Sequence, residues 1–84
     1  MASYLVEAYV PRGRPKELEA AAGRAREAAA RLTEEGLRIR FLRSTFVPDD
    51  ELCFLIFEAE SRALVAEAAS RAAIEYERIL EAIE

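Results

Sequence analysis

The stretch RSTFVPDDELCFLIFEAE, residues 43–60, sets Pro48, Asp49, Asp50 and Glu51 between two hydrophobic runs. Its acidic residues and Cys53 invite a metal reading, but the spacing is that of a hairpin. Pro48 presets the backbone angle of a turn's second position, Asp49 and Asp50 bond back to nearby amides, and LCFLIFEA resumes an extended segment at once. A calcium loop needs ligands alternating along the chain around a central glycine, and PDDE has neither. LRIRFLRSTFV, residues 37–47, is therefore one strand, with Ile39 and Phe41 opposed to Arg38, Arg40 and Leu42, and residues 52–59 are the next.

Upstream, SYLVEAYV, residues 3–10, alternates Tyr4, Val6, Ala8 and Val10 against Leu5, Glu7 and Tyr9, the period of a strand. PRGRP ends it, and Pro15 suits the first turn of a helix. Leu18, Ala21, Ala22, Ala25, Ala29 and Leu32 then recur at helical spacing as far as Gly36, which is placed as a C-terminal stop. PRGRPK, residues 11–16, carries three cations and one glycine without the glycine spacing of a phosphate loop, so it reads as a connection. Downstream, Ser61 caps a second helix whose stripe is Leu64, Val65, Ala68, Ala69 and Ala72, and YERILEAIE, residues 76–84, alternates again. The order strand, helix, strand, strand, helix, strand with short connections is the ferredoxin-like plan. It is an α+β, βαββαβ sandwich in which an antiparallel sheet of order 4-1-3-2 carries both helices on one face. Residues 1–84 form a single domain.

The net charge of -4 and the acidic surroundings of the third strand argue against nucleic acid as a partner. No apolar run is long enough to span a bilayer, and residues 1–10 lack the pattern of a signal peptide, so the expected location is cytoplasmic, without membrane association. Histidine is absent, which removes His-based nucleophile activation and the commonest transition-metal ligand. The single cysteine, Cys53, shares parity with Leu55 and Phe57 on the helix side, where a thiol packs as a small hydrophobe.

Function is sought on the other face of the sheet. In the third strand both alternating sets are apolar, Leu52, Phe54 and Ile56 on one side and Cys53, Leu55 and Phe57 on the other, and two helices cover only one side. A second copy laid face to face covers the rest, giving a dimeric α/β-barrel type assembly with Leu42, Phe46, Phe54 and Ile56 at the interface. Glu7, Glu58 and Glu81 fall on the same open face, on strands that the topology makes neighbours. Arg40 joins them if the second strand is regular, and Arg43 takes its place if the strand bulges. Carboxylates gathered in an enclosed space repel one another until an arginine, a cation or a proton relieves them. Glu7, Tyr9, Arg40, Arg43, Glu58 and Glu81 are accordingly the ligand-binding candidates.

With YLVE, RSTFVPDDE, CFLIFEAES and the closing ERILEAIE, the chain resembles a family of small bacterial ferredoxin-like domains, most of unknown function, named after a nickel-binding protein. The resemblance implies a homodimer and, in the member that names the family, nickel held by ligands that include histidine. Nickel is thus the one cofactor implied, and by resemblance only, since carboxylates alone suit harder cations such as magnesium or manganese. The expected function is that of a small homodimeric binding protein holding a metal ion or small molecule between its two sheets. The alternative is a small cofactor-independent enzyme using a Glu with Arg or Tyr, as Glu7 or Glu58 with Arg40 and Tyr9.

Overall fold

Strand β1, Ala2–Tyr9, lies inside a four-stranded antiparallel sheet, burying Tyr4, Val6 and Ala8 on one face and turning Ser3, Leu5, Glu7 and Tyr9 to the other. Helix α1 (Pro15–Glu34), strand β2 (Ile39–Val47), strand β3 (Leu52–Ala59), helix α2 (Arg62–Arg71) and strand β4 (Arg78–Ala82) follow in order. This computed structural model describes residues 1–11 and 14–83. Arg12 and Gly13, in the PRGRPK segment considered as a phosphate loop, and Glu84 lie outside the described residues. The sheet order β2-β3-β1-β4 is the ferredoxin-like order expected, and every pairing is antiparallel.

The helix ends explain the strand limits. Gly36, at φ 91°, takes the left-handed position after α1; its N–H donates to the Thr33 carbonyl and that of Leu37 to the Leu32 carbonyl. Leu37 therefore belongs to the helix closure, and β2 begins at Ile39. Ser61 caps α2 as expected, its Oγ accepting the Leu64 N–H at 3.2 Å. The C-terminus of α2 repeats the closure of α1, Ala73 donating to Ser70 and Ile74 to Ala69, but the left-handed residue is Ala73, at φ 54°. An L-residue with a Cβ pays about 1 to 2 kcal/mol there. Ala73→Gly is therefore expected to stabilise the fold by about 1 kcal/mol after the extra flexibility of glycine in the unfolded chain is counted, read as a higher urea midpoint.

Pro48–Asp50 form a single 3-10 turn, so PDDE is a hairpin connection as its residues imply. The core lies between sheet and helices: Tyr4, Val6, Leu55, Phe57 and Cys53 meet Ala25, Ala28, Ala29 and Leu32 of α1 and Val65, Ala68 and Ala69 of α2. Alanine stripes let both helices lie close to the sheet. Arg24 Nε donates to the Ala72 carbonyl at 2.7 Å, fastening α1 to the C-terminal end of α2.

Candidate functional site

The open face is built in rows by the strand registers. From the hairpin end, Val47, Leu52 and Tyr9 form the first row, followed by Thr45, Phe54, Glu7 and Arg78. Arg43, Ile56, Leu5 and Leu80 form the third, and Arg40, Glu58, Ser3 and Ala82 the last. Ile56 is only 8 % exposed yet stands outside the core cluster under the helices, shielded by its neighbours on this face. Leu5, Leu52, Phe54 and Leu80 are half-buried and likewise outside that cluster.

Two placements differ from the sequence expectation. The register between β2 and β3 shifts between Phe41 and Arg43, leaving Leu42 as an extra residue. The resulting bulge puts Arg40 and Arg43 on the open face together, rather than one in place of the other. It also turns Phe46 to the helix side, opposite Cys53 and packed on the core, so Phe46 is not an interface residue of the open face. Leu42 is half-buried and outside the core; Phe54 and Ile56 lie where expected. Glu81 is the second correction. It pairs with Tyr4, whose ring is in the core, and so belongs to the helix-side face, where edge strand β4 leaves it exposed. Ile79, not Leu80, is the β4 residue packed on the core, which reverses the expected parity.

The carboxylates are consequently not gathered. Glu7 stands opposite Phe54 and Glu58 opposite Ser3, four residues apart along the paired strands, a separation of about 13 Å. Each has its own arginine on a neighbouring strand. Arg40 Nη2 donates to Glu58 Oε1 at 2.6 Å, and Arg78 grips Glu7 with Nε and Nη2 at 3.3 and 3.4 Å. Tyr9, at the hairpin end, donates its hydroxyl to Glu51 at 2.8 Å, and the bond to that carboxylate holds the phenol above its ordinary pKa. Of the expected catalytic combination, Arg40 with Glu58 lies at one end of the face and Glu7 with Tyr9 toward the other, where Arg78 holds the Glu7 carboxylate and Glu51 accepts the Tyr9 hydroxyl. Arg43 is different: among the described residues it has no ion pair, and it faces Ile56.

On the helix side, a groove of about 470 Å³ is lined by Arg24, Arg31, Arg71, Glu27 and Glu35. Its charges satisfy one another. Arg71 binds Glu35 through both terminal nitrogens and Glu67 through Nε, and its guanidinium holds the Glu35 carboxyl below the usual range. This groove is a fastening between helices.

A family described as nickel responsive protein SCO4226-like matches residues 4–82. The chain belongs to this family. The crystal structure of SCO4226 from Streptomyces coelicolor A3(2) superposes with a TM-score of 0.74 over 96 % of this chain and 95 % of that one, at 16 % identity, a likeness that establishes the fold. No curated protein matches the sequence.

Nickel can be tested against the donors of this SCO4226-like chain. It has no histidine, and its one thiol, Cys53, is 1 % exposed beneath the helices, where burial pushes it up to about 11. Among the described residues no three Cys, Asp or Glu side chains are placed to hold a metal ion. The donor set does not fit nickel. Among the described residues, too, no helix is long and apolar enough to cross a membrane.

Proposed function

We propose that this SCO4226-like chain is a homodimeric binding protein whose two open sheet faces meet and hold a small molecule, not nickel, between them. The observation that carries this reading is the apolar middle of the open face. Ile56, Phe54, Leu5 and Leu80 adjoin one another across three strands, outside the core and under neither helix. Ile56 is already shielded by its neighbours, and the half-buried Phe54, Leu5 and Leu80 would each gain part of the roughly 1.5 to 3 kcal/mol that full burial of such a side chain is worth, so a matching face is an inducement to pair. The flanking Arg40–Glu58 and Arg78–Glu7 pairs suit the polar rim of such a seam.

Sedimentation velocity across a wide concentration range tests the dimer, and nickel titration calorimetry on the same samples tests the ligand class. A dimer is expected throughout, with nickel binding weaker than tens of micromolar, an order of magnitude set by hard carboxylate donors. A monomer at high concentration overturns the first half of the reading; tight stoichiometric nickel overturns the second.

A further inference from the structure

We propose that the seam takes an amphipathic organic carboxylate, its head on Arg43 and its apolar body along the row Ile56, Leu5 and Leu80. This rests on the homodimer reading above. Arg43 stands opposite Ile56, Ile56 opposite Leu5 and Leu5 opposite Leu80, so one line across the four strands runs from a guanidinium onto three aliphatic side chains. At about 4.8 Å between strands that line is about 14 Å long, enough for a medium-chain acid lying across the sheet. The rows on either side are closed by the Glu7–Arg78 and Glu58–Arg40 pairs.

Charge selects the head group. The described open face carries Arg40, Arg43 and Arg78 against Glu7 and Glu58, and both carboxylates are already bonded to arginines. A second copy laid on this face therefore brings Arg43 no unclaimed carboxylate from its own open face. A guanidinium enclosed without an anion keeps an uncompensated desolvation cost. A carboxylate matches its planar pair of donors, while a cation such as nickel meets repulsion. The surplus is local, because the chain as a whole carries -4. The bulge is the device that creates it: by bringing Arg40 onto the open face beside Arg43, it leaves Glu58 to the first and nothing to the second.

Calorimetric titration of the dimer with octanoate, octanol and octylammonium holds the apolar body constant and changes the head. Octanoate is expected to bind at least ten times more tightly than octanol, a difference of about 1.4 kcal/mol, with octylammonium weakest. Arg43→Gln should reduce octanoate to the level of octanol with the dimer intact, and Arg43→Lys should retain part of the preference. Octylammonium binding as well as octanoate, or octanoate indifferent to Arg43→Gln, overturns the proposal. So does loss of the dimer in Arg43→Gln, which would mean that the arginine pairs across copies. Sedimentation of each sample separates the two failures: a dimer that ignores octanoate overturns this inference alone, whereas a monomeric wild type overturns the homodimer reading and the inference with it.

Discussion

Phe57→Ala is expected to remove about 3 to 5 kcal/mol of stability, whereas Phe54→Glu, three residues earlier on the same strand, should leave the subunit folded and abolish the dimer. The two rings lie on opposite faces of β3. Phe57 is fully buried in the core and meets Phe41 edge-on, ring centroids 5.3 Å apart. The Arg26 guanidinium lies 5.2 Å above the Phe41 ring, so truncating Phe57 also loosens a stacked surface that ties α1 to β2. A domain of this size has roughly 5 kcal/mol or little more to lose, and the Phe57 variant should be largely unfolded in mild urea. Phe54 is half-buried and outside the core, so a carboxylate there meets water in the monomer and an apolar face in the dimer. Circular dichroism during urea titration reads the first effect and sedimentation velocity the second. Measuring Phe57→Ala in a Phe54→Glu background removes the contribution of association to apparent stability. A folded, still dimeric Phe54→Glu protein would show that the open face is not the seam.

The division of labour between those two phenylalanines was legible in the sequence because β3 lies between a tight turn at Pro48 and a capped helix at Ser61, so its parity had nowhere to drift. The edge strands were different. In β2 both Phe41 and Phe46 pack toward the helices although their odd spacing forbids it in a regular strand, and only the extra residue at Leu42 reconciles them. No residue type marks that bulge. In β4 Ile79 and Leu80 are equally apolar, and the choice between them falls to packing against α2 and β1, which period-two patterning does not contain. The dispersal of the glutamates, by contrast, had a signal that parity alone overlooks. In an antiparallel pair the C-terminal end of β3 meets the N-terminal end of β1, so Glu58 was bound to lie near Ser3 and far from Glu7. Same face and neighbouring strand do not make a cluster; height along the strand decides it.

Cys53 offers a test of the core that does not disturb its shape. Its side chain lies between β1, β2 and the helices, opposite Ala8 and Phe46, and burial alone pushes the thiol from its ordinary value near 9 up to about 11. The folded protein thus keeps the proton that the unfolded chain releases first. Between about pH 9 and about pH 11 the unfolded state binds fewer protons, so stability falls as pH rises and levels off above the folded value. Two pKa units correspond to about 2 to 3 kcal/mol. That loss should appear as a narrowing difference in urea stability between wild type and Cys53→Ala, because tyrosines and the single lysine titrate in both. The same burial lowers the thiolate fraction near pH 8 about a hundredfold, before any steric protection, so iodoacetamide should label Cys53 only through unfolding. Labelling in urea then supplies the rate of the free thiol for comparison. Rapid alkylation under native conditions, or a Cys53→Ala difference constant with pH, would place the thiol in contact with solvent and reopen it as a ligand for a soft metal.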